Sequence, residues 1–386
     1  MQNGFLSMLL VSILALITCQ GDRMSSKTSH DQIFYVGTYT AKGSEGIYVF
    51  QLDSDTGKLS PLHTVSAVEN PSFLAIDSKN MFLYAVHELN DYQGERTGAV
   101  RSFKINRSTW DLTLLNEQPS FGEHPCHVTV TPQGDYVLLA NYTNGSISMF
   151  PVKDGLLETV SDTAQHVGSG LHANRQKGPH AHSVNLSPDG RFLYAVDLGI
   201  DQIKIYNLVA QLGTLTPAEQ SYVQTAPGAG PRHFTFHPSG QFAYVINELK
   251  STITAYTVDT EKGLLAEIQT VATLPPDFAG NNTCADIHVT PDGNFLYGSN
   301  RGHDSLAFYA INQSTGELTL VGHEFVRGKT PRNFAIDPSG TFLLAANQNS
   351  DNIVVFRINP QTGELNYTGY EASVSMPVCI AFVQNM

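Results

Sequence analysis

Cysteine is scarce in this chain. The 386 residues hold four, Cys19, Cys126, Cys284 and Cys379, with no CxxC pair and no Cys/His spacing of the zinc type. That excludes a zinc cluster or a dithiol redox motif, and the last three read as buried strand residues of separate repeats. Basic residues are few as well: 22 Lys and Arg stand against 35 Asp and Glu, for a net charge of -13. A nucleic-acid or anionic-membrane surface needs clustered cations, so both are excluded as partners, and any cationic pocket must be local. Charged residues of both signs reach only 15%, while 32 Gly and 19 Pro punctuate the chain, a profile of many short strands joined by tight turns.

Long apolar runs are missing too. Phe5 to Thr18 is apolar but short of the roughly 20 residues a membrane span takes. At the amino terminus such a run reads as an export signal over residues 1–18, followed by a polar tether over 19–30. Leu16-Ile17-Thr18-Cys19 resembles a bacterial lipobox, although Thr18 replaces the usual small residue and no Lys or Arg precedes the run. The expected location is therefore exported, either periplasmic or anchored to a membrane by a lipid on Cys19. The sequence says nothing about oligomeric state.

From residue 31 to residue 386 one pattern recurs: an apolar alternating strand, a tight turn, then a second apolar strand ending in a polar residue. Examples are Pro125-Cys126-His127-Val128 leading to Val137-Leu138-Leu139-Ala140, and Arg232-His233-Phe234-Thr235-Phe236 leading to Phe242-Ala243-Tyr244-Val245-Ile246. Turns such as Pro188-Asp189-Gly190 and Pro338-Ser339-Gly340 join them, Pro presetting φ and Gly accepting the positive φ. Third and fourth strands follow, giving four strands per repeat, as in the blades of a propeller. The seventh repeat is split, with Val378-Cys379-Ile380-Ala381-Phe382 near one end and Ile33-Phe34-Tyr35-Val36-Gly37 near the other. The expected fold is all-β: a seven-bladed β-propeller whose N- and C-terminal strands close one shared blade, leaving no free edges.

In each blade the start of the first strand and the end of the second lie on one rim. Polar residues gather at these places: His87 and Glu88, Asn141, His180 and His182, Arg232 and His233, Glu248, Asn300 and Arg301, and Arg332. Arginines converging above a channel would bind carboxylate or phosphate through paired hydrogen bonds. A carboxylate or neutral imidazole beside them would activate water, and such chemistry needs no cofactor. Glu88, Asn141, Asp197 and Glu248 offer oxygen ligands to calcium, but the basic residues beside them disfavour a dication, so no metal is expected. His237 and His288 read as structural.

The stretches Val36-Gly37-Thr38-Tyr39-Thr40, Gly178-Pro179-His180-Ala181-His182, Gly230-Pro231-Arg232-His233-Phe234, Asn247-Glu248-Leu249, Ser299-Asn300-Arg301 and Thr330-Pro331-Arg332-Asn333-Phe334 resemble the propeller-type lactonase family. That family includes bacterial 6-phosphogluconolactonases and fungal carboxymuconate cyclases. The resemblance implies a small-molecule lactone substrate and hydrolysis of 6-phospho-D-glucono-1,5-lactone or a related sugar lactone. It implies catalytic roles for His180, Arg232, Glu248 and Arg301, with Glu248 or His180 as the base for water. His182, His233, Asn300, Arg332, Asn141 and His87 are then expected around the substrate. A non-catalytic binding propeller and a lactone-forming cyclase are the competing readings.

Overall fold

The computed structural model describes residues 1–2 and 31–384; Cys19, the tether and the apolar run of the leader lie outside the described residues. The described chain is built of 29 strands in seven antiparallel sheets, and each sheet runs from an inner to an outer strand. The inner strands, in chain order, are Leu74–Ile76, Pro125–Val130, Ala181–Leu186, Pro231–Phe236, Thr283–Val289, Pro331–Ile336 and Pro377–Phe382. The last of these pairs with Gln32–Thr38, so the two ends of the propeller share blade 1, as the split repeat requires.

Seven apolar clusters fill the gaps between neighbouring blades. One of them joins blade 7 to blade 1 through Phe34, Phe50, Phe342 and Leu344, so the ring closes by the packing used at every other junction. The repeat's turn glycines explain part of this. Gly57, between the outer two strands of blade 1, has φ +83°, and a Cβ there would lie 2.6 Å from the Phe342 ring of blade 7. Gly363 of blade 7 sits in the same way against Phe295 of blade 6. Both the backbone conformation and the close approach of the ring demand glycine.

Two details depart from the repeat. The inner strand of blade 2 is only Leu74–Ile76, shorter than the Pro71–Ile76 run suggests, because Asn70 (φ 42°) and the Ser72 N–H to Asn70 carbonyl bond turn the chain before it. The outer edge of blade 3 is split into Leu156–Leu157 and Asp162–Gln165, both paired with Ser146–Lys153. The three cysteines within the described residues are free and buried, in inner strands of blades 3, 6 and 1.

Candidate active site

A repeated irregularity aims the chemistry. In the inner strands of blades 3, 4, 5 and 7 the pairing register slips by one residue at Cys126, His182, Arg232 and Arg332. Each slip is a β-bulge, which breaks the alternation of side chains and re-aims the extra residue. Cys126, His182, Arg232 and Arg332 thereby line cavities at the channel mouth, while His127 and His233, one residue on, meet one another in the channel with ring centroids 5.5 Å apart. The second strands contribute the residue at or just beyond their ends: Tyr39, Glu88, Tyr142, Glu248 and Arg301.

The main cavity is about 290 Å³ and is lined by Glu88, Tyr142, Arg175, His182, Glu248, Arg301 and Arg332 among others. Its centre is Glu248. Arg175 Nη2 lies 2.5 Å from Glu248 Oε1, and Arg301 Nη2 and Arg232 Nε lie 2.9 and 3.1 Å from Oε2. Burial works against the carboxylate's charge, but Arg301, Arg232 and Arg175 outweigh it and hold the group down at about 2. Arg232 is 2% exposed; burial, then the nearness of Arg301 and Arg332, brings its guanidinium down to about 9. Arg232 Nη1 donates to the Ala285 carbonyl at 2.6 Å and Arg301 Nη2 to the Cys284 carbonyl at 2.8 Å, fixing both groups. The Nε–H groups of Arg232 and Arg301 are buried without a hydrogen-bond partner among the described residues, since the Arg232 ion pair lies off the hydrogen-bond direction. Two buried guanidinium donors left without well-directed acceptors are costly, and the ion pairs with Glu248 offset part of that cost.

A smaller cavity adjoins, lined by Tyr39, Ser72, Phe73, Glu88, Arg232, His233 and Arg332. Below it the channel is filled by polar rings tied to Asp286. That carboxylate accepts from His233 Nδ1 at 2.7 Å, His288 Nε2 at 3.0 Å and Asn333 Nδ2 at 2.5 Å. His233 Nε2 then faces Arg232 Nη1 at 3.2 Å. The order Asp286, His233, Arg232, Glu248 is thus a continuous buried chain that holds Arg232 in place. His288, read as structural from its place within a strand, is part of it.

Burial, then neighbouring positive charge, pushes His233 down to about 4 and holds His127 and His182 well below the ordinary imidazole range. Unfolded, each would titrate near about 6.5. Between about pH 4 and 6.5 the unfolded chain therefore binds protons that the folded chain does not, and stability rises with pH across that window. His288 has the opposite sign: burial opposes its charge, but Asp286 raises its pKa, so its contribution is present below 6.5 and is lost as pH climbs through the raised value. Below 6.5 His288 is protonated in both states and does not oppose the other three, so the urea midpoint is expected to fall as pH is lowered from 6.5 to 4. A midpoint unchanged across that interval would contradict these assignments.

The structure brings His182, Glu248, Arg301 and Arg332 to the main cavity and Arg232, His233 and Arg332 to the smaller one beside it, with Arg232 tied to Glu248. His180 stands to one side. It lines neither cavity; its ring stacks on Tyr142 at 4.6 Å and its Nδ1 meets the Tyr142 carbonyl at 2.9 Å, so it bears on the site through Tyr142. Asn141, Asn300 and His87, expected around the substrate, line neither cavity. Asn141 Nδ2 donates to Ser146 Oγ and the Ser120 carbonyl, and Asn300 Nδ2 to the Thr273 carbonyl. His87 lies 3.6 Å from Glu69 and edge-on to Tyr92. All three are the last or next-to-last residues of second strands, where alternation turns the side chain into the blade; the residue after each, Tyr142, Arg301 or Glu88, reaches the cavity. Of the oxygen donors considered for calcium, Glu88 and Glu248 line the cavity, whereas Asn141 and Asp197 do not. Arg175 lies in the segment 166–180, outside the repeat, where its only sequence signal is a pair of cations, Arg175 and Lys177, in an insertion at the polar rim.

Residues 33–382 match the family model described as Lactonase, 7-bladed beta-propeller. The chain is 42% identical over 303 residues to a 6-phosphogluconolactonase of Bacillus subtilis, covering 78% of this chain and 84% of that one. It is 38% identical over 307 residues to a 6-phosphogluconolactonase of Formosa agariphila, covering 78% and 85%. Among solved structures it is similar to the periplasmic gluconolactonase PpgL of Pseudomonas aeruginosa, with TM-score 0.87, 34% identity, and coverage of 92% of this chain and 99% of that one.

Proposed function

We propose a substrate from one premise: this chain belongs to the seven-bladed β-propeller lactonase family and is a lactone hydrolase, a carboxylic-ester hydrolase acting on a small-molecule lactone. The substrate is 6-phospho-D-glucono-1,5-lactone, opened by water to 6-phosphogluconate. The observation that carries this reading is the charge of the cavity. Arg175, Arg232, Arg301 and Arg332 face Glu88 and Glu248, four cations against two anions, in a protein that is acidic overall. Such an excess suits a phosphate dianion, which guanidinium groups bind through paired hydrogen bonds. In this scheme the guanidinium groups that line the two cavities, Arg175, Arg232, Arg301 and Arg332, divide between holding the phosphate and taking the oxyanion that forms when water adds to the lactone carbonyl. His182, kept neutral, and Tyr142, backed by His180, complete the wall.

A second reading is favoured by the leader-like segment and by the likeness to a periplasmic gluconolactonase: an exported enzyme acting on an unphosphorylated sugar lactone. A pH-stat assay of both lactones separates the two. The phosphorylated lactone is expected to show kcat/KM at least about tenfold higher, an advantage of about 1.4 kcal/mol or more in transition-state binding. Equal rates would favour the second reading, and no hydrolysis of either would remove the substrate class. Export and a lipid on Cys19 belong to the proposal as well; detergent-phase partitioning that is the same for wild type and Cys19→Ala would rule the lipid out.

A further inference from the structure

Two carboxylates line the main cavity, and they keep different company. Glu248 is bound by three guanidinium groups, so protonating it would break three ion pairs at once. Glu88 has no guanidinium or ammonium nitrogen within 4.0 Å among the described residues. Its partners are hydroxyls: Tyr39 Oη donates toward Oε1 and Oε2, 3.0 Å from each, and Ser72 Oγ donates to Oε2. Tyr39 is set in turn by Arg332, whose Nη2 donates to Tyr39 Oη at 3.0 Å and whose guanidinium lies 5.4 Å from the ring centroid. Burial, only partly opposed by Arg332, pushes the Tyr39 phenol up, so at neutral pH it keeps its proton and serves as a donor to Glu88. Glu88 also lines both cavities, the large one holding the arginine cluster around Glu248 and the small one beside Arg332.

We infer that Glu88, held by Tyr39 and Ser72, is the catalytic residue that accepts the proton of the attacking water and returns it to the leaving ring oxygen. This rests on the lactone-hydrolase reading above. In the first step a water O–H bond breaks, its proton passes to a Glu88 oxygen, the water oxygen bonds to the lactone carbonyl carbon, and the carbonyl π pair moves onto oxygen. In the second step that pair re-forms the carbonyl, the bond from carbon to ring oxygen breaks, and the proton on Glu88 passes to the ring oxygen, which leaves as a hydroxyl. Glu88 ends as the carboxylate it began as, and the net change is lactone plus water to hydroxy acid. Glu248, whose oxygens are occupied by cations throughout, organises the arginines.

The test is steady-state hydrolysis by wild type, Glu88→Gln, Glu88→Ala and Glu248→Gln, with the uncatalysed rate subtracted and folding checked by thermal melts. Glu88→Gln keeps the shape and its contacts with hydroxyls but cannot take a proton, and is expected to lower kcat at least about 100-fold with KM within about threefold. Glu248→Gln is expected to raise KM as well. In Glu88→Ala, added formate is expected to restore at least about tenfold of the lost rate by standing in for the missing carboxylate, which a merely structural role would not allow. Should the Glu88 variants fold poorly, Tyr39→Phe removes the hydroxyl that aims Glu88 while leaving the ring beneath Arg332, and is expected to lower kcat about tenfold. A Glu88→Gln enzyme with kcat within threefold of wild type would overturn the inference while leaving the lactonase reading intact. Wild-type protein that opens no lactone would instead overturn the reading itself.

Discussion

Glu248→Ala is expected to cost about 3–5 kcal/mol of folding stability, the usual consequence of removing one partner from a buried ionic cluster. The variant leaves Arg175, Arg232 and Arg301 facing one another, with Arg232 and Arg301 largely removed from water. Repulsion among them is already visible in wild type, where burial and the neighbouring arginines together lower Arg232 to about 9 with Glu248 still present. The same reasoning predicts rescue. Inorganic phosphate carries negative charge of the kind that Glu248→Ala removes, so the variant should gain more from it than wild type does, approaching about 2.7 kcal/mol at a hundred times the dissociation constant. Urea titrations of both proteins with and without phosphate check both parts. A variant as stable as wild type, or one indifferent to phosphate, would show that the three guanidinium groups do not share one desolvated site.

Arg301→Ala carries the second large effect. Removing one preorganised donor from a developing oxyanion typically costs about 2.7–4 kcal/mol, so kcat/KM should fall by about a hundredfold to a thousandfold. When Arg301 is removed Glu248 keeps Arg175 and Arg232 as partners, so the buried carboxylate stays paired and the fold should be disturbed less than by Glu248→Ala. Purified Arg301→Ala assayed by pH-stat beside wild type gives the answer. A loss under threefold would place Arg301 outside the transition state and leave it only a partner of Glu248.

The ring was legible in the sequence because the repeats carry their own evidence: apolar alternation throughout and, in five of the seven, a Pro-x-Gly turn. The split repeat announced the closure realised by the pairing of Gln32–Thr38 with Pro377–Phe382. Site residues were legible to the extent that they follow this grammar. Arg232, Glu248, Arg301 and Arg332 stand at rim positions of their strands and converge there. Errors arose where one residue decides the face. Asn141 and Asn300 are the last and next-to-last residues of their strands, yet their Nδ2 groups donate to Ser146 and Thr273, while Tyr142 and Arg301, one place later, reach the cavity. Bulges are invisible in a pattern of period two, so the sequence placed Arg232 and His233 together at the rim without showing the register slip that lets two adjacent side chains both reach the channel. Arg175 escaped because an insertion has no repeat to be read against.

That blades far apart in sequence build one reaction site is tested most directly by a double-mutant cycle on Arg232 and Arg301, which come from blades 5 and 6. The quantity is kcat/KM for lactone hydrolysis in wild type, Arg232→Ala, Arg301→Ala and the double variant, each verified as folded. Groups that stabilise the same developing charge are expected to give losses that overlap, so the double variant should lose far less than the product of the single losses. Losses that simply multiply, or single variants that remain folded and fully active, would mean that the two arginines do not serve one lactone.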